Sequence, residues 1–276
     1  MNHRIERLIG REQGLRDVSV ALRDLVRAYN APTVGAMHIT CADESEFECM
    51  EAFKKSFAQQ LLPELKFAQR APFHLSNLGA RYEEGALAVA EHHYATPETQ
   101  GAFKVLLAKI NAHVAVEGQG SEATFGSMRR YDTDSTACGA LHALLDDKDI
   151  PAVRELSETF ATGRLDRLKL LRDASQVSTE YRSLFVSLVN ARLQTQRVID
   201  EILHHKARSP TVYLVASCLT LNRAEADTEV LCGLATLDQR DEAAGVEYVG
   251  LGDDPTVYRV EDEFGRLQIR DDQPSE

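Results

Sequence analysis

The run Thr33-Val34-Gly35-Ala36-Met37-His38-Ile39-Thr40 ends at Cys41-Ala42-Asp43, and an acid-rich helical pattern begins at once. The run is apolar and β-branched enough to read as a strand. Phe47, Met50, Phe53, Phe57 and Leu61 then recur at helical spacing. Asp43 with Glu46 three positions on resembles a capping box, and acids in the first turn suit the helix dipole. The chain is therefore committed to a strand that hands over directly to a helix. A thiol and a carboxylate at that junction are exposed by the turn and held by the sheet, a favourable place for chemistry.

The same alternation continues in both directions. A helix is expected over 5–29, with Leu15, Val18, Leu22, Leu25 and Val26 on one face, and Ala31-Pro32 breaks it. Residues 66–81 read as irregular, with a turn over 76–81, and a helix follows over 82–94. The best strand pattern covers 105–116. There Ile110, Ala112, Val114 and Val116 alternate with Asn111, His113 and Ala115, which puts His113 on the opposite face from those four.

A polar loop runs from Gly118 to Thr136. Ser135 or Thr136 can cap a helix over 137–145, with Cys138 in its first turn. Pro151 opens another helix, and a long one covers 175–205, its stripe including Val177, Tyr181, Leu184, Leu188, Ala191, Val198 and Ile202. Strands follow over 211–221 and 228–237, with short ones around 246–249 and 257–260 and a polar end. Strand–helix alternation in the first half predicts an α/β core. The whole of 1–276 reads as one domain: an N-terminal helical arm over 1–30, a core over 33–222, and C-terminal strands with a polar tail over 223–276.

Composition narrows the function. The 276 residues are 43% hydrophobic and 27% charged, with a formal net charge of −12. That acidity disfavours nucleic acid as a partner. The basic residues Arg164, Arg167, Lys169 and Arg172 are interleaved with Leu and Asp and read as a solvated helix face. No apolar stretch is long enough to span a membrane, and the N-terminus has no secretory pattern. Five cysteines, Cys41, Cys49, Cys138, Cys218 and Cys232, point to a reducing compartment, so a cytoplasmic protein is expected.

Three of the chemistry-bearing residues suit one ion. Cys41 after a strand, His113 on a strand and Cys138 at a helix start could supply two sulfurs and a nitrogen to zinc, leaving a fourth position open. The helix dipole would lower the Cys138 thiol. Asp43 could orient water in the fourth position or occupy that position itself. The alternatives stay open. A lone Cys is usually core, and a strand His is usually hydrogen-bonded. Cys138 and His142, four apart on one helix, are a rival pair, whereas His92-His93 point apart. Cys49, Cys218 and Cys232 read as packing. Gly118-Gln119-Gly120-Ser121-Glu122-Ala123 matches a dinucleotide fingerprint but lacks a convincing helix after it. The Cys-x-x-Cys of zinc deaminases, a Walker loop and a nucleophile elbow are absent.

Cys41-Ala42-Asp43-Glu44, Asn111-Ala112-His113-Val114, and Arg130 with Ser135-Thr136-Ala137-Cys138-Gly139-Ala140 together resemble the limiting-CO2-inducible protein B/C family of theta-class, beta-like zinc carbonic anhydrases. Asn77-Leu78-Gly79-Ala80-Arg81 and Glu91-His92-His93-Tyr94 stand where that family has a Gly-rich turn and a His-His pair. The resemblance covers about 35–145 and, more faintly, the strands to 222.

It implies an α/β fold with a mixed central sheet flanked by helices, beta-carbonic-anhydrase-like, in a homodimer. It implies Zn2+ held by Cys41, His113 and Cys138, and reversible hydration of carbon dioxide to bicarbonate. Asp43 would gate or orient the reacting water, and Arg81 would hold Asp43. The chain departs from the β-class Cys-x-Asp-x-Arg motif by having Ser45, which is why Arg81 enters. That departure also admits a catalytically silent, zinc-stabilised interaction protein, or an inorganic-carbon-responsive one, of the same fold.

Overall fold

The computed structural model describes residues 14–31, 33–61, 72–94, 104–118, 123–130, 133–136, 138–146, 154, 174–175, 179–205 and 210–238. The helix expected after Pro151, the basic segment 164–172, most of the glycine fingerprint, Val177 and the strands expected beyond 240 lie outside them.

Helix α1 spans Gly14–Ala28 and leads into strand β1, Thr33–Cys41. A 3-10 turn, Glu44–Glu46, opens helix α2, Phe47–Leu61. Strand β2 follows at Phe73–Asn77, then a 3-10 turn at Leu78–Ala80 and helix α3, Ala86–Tyr94. Strand β3 is Lys104–Glu117. Short strands β4 (Thr124–Phe125), β5 (Met128–Arg130) and β6 (Thr133–Ser135) precede helix α4, Gly139–Leu145. A turn at Thr179–Tyr181 opens the long helix α5, Arg182–His204. Strands β7, Thr211–Asn222, and β8, Thr228–Asp238, complete the described chain.

The main sheet has the order β2-β1-β3-β7-β8, with β4 paired to the end of β3. The first four strands run parallel, and β8 returns antiparallel to β7. β3 and β7 are central and buried along almost their whole length, as strands covered on both faces must be.

Alternation along β3 divides the core. Leu106, Ala108 and Ile110 pack with Leu87, Ala90 and Tyr94 of α3 and Val198, Ile199 and Ile202 of α5. Val105 and Leu107 pack with Val18, Leu22 and Val26 of α1 and Phe53 and Phe57 of α2. The expected α/β architecture, a mixed sheet flanked by helices, is the one observed. Gly35 on β1 admits the Tyr94 ring, since an added Cβ would lie 2.4 Å from it. The Tyr94 hydroxyl then donates to the Ala36 carbonyl at 2.7 Å.

Several local expectations change. The segment read as irregular contains β2, an edge strand whose short Phe-His-Leu-Ser-Asn pattern is half polar because only one neighbour covers it. The polar loop after Gly118 contains β4 and the β5–β6 hairpin. The capping box does not form, because Glu46 is 2% exposed and its carboxylate turns inward to Thr220 and Asn222. Cys138 is not in a first helical turn. It is the residue before α4, left-handed at φ 62°, and no side chain caps that helix.

Candidate metal centre

β1 and β3 run parallel and side by side, so Cys41 at the end of one and His113 near the end of the other reach the same edge of the sheet. Cys138 arrives from the start of α4. Its left-handed backbone is unusual for a residue with a Cβ and persists only where surrounding contacts impose it. The Cys138 carbonyl accepts from the Leu141 and His142 N–H groups at 3.0 and 3.1 Å.

The ligand atoms of Cys41, His113 and Cys138 lie within 4.8 Å of one another, and all three residues are buried. The two sulfurs are 4.0 Å apart and both thiols are free. Two sulfurs on a tetrahedral zinc stand about 3.7 Å apart, given Zn–S bonds of about 2.3 Å. The imidazole gives the sharper test of fit. His113 Nδ1 lies 2.9 Å from Asn222 Oδ1, while its buried Nε2 has no hydrogen-bond partner. Asn222 Nδ2 donates to the Ser45 carbonyl at 3.2 Å, which turns Oδ1 toward the imidazole. Nδ1 therefore keeps its proton toward Asn222, and Nε2 is the nitrogen left to a metal, whose binding would displace any proton there. The donor set fits zinc.

Ser45 joins the site to Asp43. Its hydroxyl donates to Asp43 Oδ1 at 2.7 Å and lies 3.2 Å from His113 Nδ1. Its N–H also donates to Asp43 Oδ1, at 3.1 Å. Burial works against the Asp43 carboxylate, but the Ser45 hydroxyl and N–H, with lesser help from His113 and the Cys138 N–H, hold its pKa below the ordinary value. Arg81, expected to hold Asp43, donates to Glu83 Oε1 at 2.7 Å. The serine that the sequence presents as a departure holds Asp43 through both its hydroxyl and its N–H.

Either thiol of the pair can donate to the other. The Cys138 hydrogen bond first, and then His113, outweigh burial and lower the Cys41 thiol to about 4. Cys138 is pushed well up by that same bond and by burial. The dipole of α4 was expected to lower Cys138. The bond to Cys41 and burial raise it instead. Burial lowers His113, but the Glu46 charge and Cys41 raise it to about 9. Glu46 Oε1 stands 3.8 Å from His113 Nδ1. Burial in turn raises Glu46 to about 7.

Among the described residues this is the one cluster of its kind. His142 does not join it, and His92-His93 lie on α3. Cys218 and Cys232 are core residues, 0% and 8% exposed. Cys49 does more than pack: its thiol lies 3.5 Å from Glu229 Oε2. Gly79, whose N–H donates to Cys41 Sγ at 3.2 Å, lies in the turn that the resemblance marks, and Ser45 and Glu46 stand out in sequence for other roles, but no motif marks Asn222. The one signal was polarity where an apolar strand ends, Thr220 and Asn222 around Leu221.

No helix among the described residues is long and apolar enough to cross a membrane. No protein-family model matches the sequence, and no curated protein matches it. Solved structures do. PtLCIB4, a homolog of the limiting CO2-inducible protein LCIB, aligns at 13% identity over 86% of this chain and 96% of its own, with a TM-score of 0.57. LCIB itself aligns at 14% identity over 87% of this chain and 94% of its own, with a TM-score of 0.51. The beta-carbonic anhydrase CcaA aligns at 13% identity with a TM-score of 0.36, too low to argue a shared fold. At such identities a likeness shows architecture alone, and the architecture here is that of the limiting CO2-inducible protein LCIB.

Proposed function

We propose that this chain is a zinc enzyme, a carbonic anhydrase that hydrates carbon dioxide reversibly to bicarbonate. One observation carries the reading. Ligand atoms of Cys41, His113 and Cys138 converge within 4.8 Å, and the buried Nε2 of His113 has no hydrogen-bond partner. Likeness in fold to LCIB supports it.

Cys41 Sγ, His113 Nε2 and Cys138 Sγ would hold the ion. Zinc, when bound, supplies Lewis acidity and makes water a nucleophile near neutral pH. Asn222 keeps the His113 proton on Nδ1. Ser45 holds Asp43 beside the ligands, and a carboxylate kept anionic there accepts a hydrogen bond from the attacking water and so orients it. Hydration releases one proton per bicarbonate, and that proton passes to solvent. Arg81 is assigned no step.

One observation favours a second reading, a catalytically silent protein stabilised by zinc. Asp43 is anchored by Ser45 and by the Cys138 N–H, close to the ligands, where it could fill the fourth position itself. Zinc analysis with stopped-flow carbon dioxide hydration separates the two. One zinc per chain with hydration that His113→Ala abolishes supports the enzyme. One zinc without hydration supports the silent protein, and no zinc rejects both.

A cytoplasmic setting is supported by five free thiols. A homodimer is supported by the apolar exposure of Phe47 (61%) and Leu78 (48%), in segments next to Glu46 and Gly79. Light scattering measures the mass directly.

A further inference from the structure

The turn at Leu78–Ala80 holds two successive left-handed residues, Gly79 at φ 67° and Ala80 at φ 55°. Glycine tolerates that conformation, but alanine is strained in it. Such strain persists where neighbours impose it. Here the neighbours are two buried amides of α5, one turn apart, both 0% exposed. Asn190 Nδ2 donates to the Gly79 carbonyl at 2.6 Å. Asn190 Oδ1 accepts from Gln194 Nε2 at 3.1 Å, and Gln194 Oε1 accepts from the Tyr82 N–H at 2.8 Å.

Both ends of this chain of bonds are backbone groups. A carbonyl can only accept and an N–H can only donate, so the orientation of each amide is determined. The clamp holds the peptide that joins the strained pair and, two residues beyond it, the Tyr82 N–H. What the turn delivers is the Gly79 N–H, 3.2 Å from Cys41 Sγ.

We propose that Asn190 and Gln194 are positioning residues for the metal centre: they force the turn at Gly79 into the conformation that aims its N–H at the Cys41 sulfur, and so set that sulfur's strength as a ligand. A hydrogen bond to a metal-bound sulfur withdraws charge from it, and groups that orient or polarise ligands typically govern metal affinity by about 10–100-fold. The assignment rests on the zinc reading above and extends it to a helix that supplies no ligand.

The test uses the full chain with two near-isosteric variants. Asn190→Asp keeps the acceptor for Gln194 and loses the donor to Gly79. Gln194→Glu removes the donor to Asn190 and favours an Asn190 turned away from Gly79. Zinc affinity is measured by competition with a chromogenic chelator. The sulfur is read separately, from the near-ultraviolet thiolate-to-metal band of the cobalt-substituted protein. Thermal unfolding identifies which variants are folded, and either folded variant suffices.

The expected result is a loss of about 10–100-fold in zinc affinity together with a shifted cobalt band. A folded variant with unchanged affinity and band overturns the proposal and leaves the zinc reading standing. Weaker affinity with an unshifted band overturns it too, since general loosening of the fold produces that. Failure of the unmodified chain to bind either metal overturns both.

Discussion

Asn222 Oδ1 lies 2.9 Å from His113 Nδ1, at the end of β7 where that strand passes beside β3. The contact decides which imidazole nitrogen is available. With Nδ1–H directed at the amide oxygen, Nε2 is left as the ligand. Replacing Asn222 with Leu removes the acceptor and frees the ring to adopt the other tautomer. Zinc affinity is expected to fall by about 10–100-fold, read by chelator competition, while far-ultraviolet circular dichroism stays unchanged.

Asp43 tests catalysis separately from metal binding. It carries charge beside the ligands but is not one of the three converging donors. Asp43→Asn is expected to retain one zinc per chain and to lose carbon dioxide hydration by about 100-fold or more, the usual scale for a proton-handling carboxylate. Stopped-flow hydration and elemental analysis on one preparation measure both. An unchanged rate would remove Asp43 from the mechanism.

Stability rests partly on a buried ion pair beside the site. Lys109 on β3 is 0% exposed and stands 2.5 Å from Glu229 Oε2, which is 11% exposed on β8. Breaking such a pair from one side strands a buried charge and costs about 3–5 kcal/mol, whereas replacing both partners with apolar groups costs far less. Lys109→Met and Glu229→Leu should each lower the unfolding midpoint by roughly 10 °C, taking about 2–4 °C per kcal/mol for a chain of this size class. The double variant should recover most of that loss in a thermal-melt cycle.

His38 sets an acid limit. Burial first, and then the charge of Lys109, hold its pKa well below 6.5 against an opposing bond from Asn111, and the His74 charge adds least. The unfolded chain therefore binds the His38 proton more readily than the folded one. This contribution to stability is fully present above the unfolded value of about 6.5 and is lost as pH falls below it. Urea unfolding between pH 7 and pH 5 should show that loss, approaching about 1.4 kcal/mol per pH unit from this group. His38→Gln should flatten the slope by about that amount.

Local pattern alone determined much of this protein. The apolar runs of β1, β3, β7 and β8 and the helical stripes of α1, α2 and α5 are visible because each element buries a face and must repeat at its own period. Cys41, His113 and Cys138 could be named because strand ends and helix starts bring side chains to a common edge.

What only the tertiary structure decided depends on neighbours far away in the chain. β2 is a strand because β1 offers it an edge, not because its five residues insist on it. Glu46 looks like a capping residue until Thr220 and Asn222 draw it inward, and Asp43 is held by the nearby Ser45. Asn190 sits in a helical stripe like any polar residue until Gly79 is packed against it. Hydrogen bonds are short and directional, so residues 109 to 177 positions apart become partners only once the parallel sheet has fixed its register.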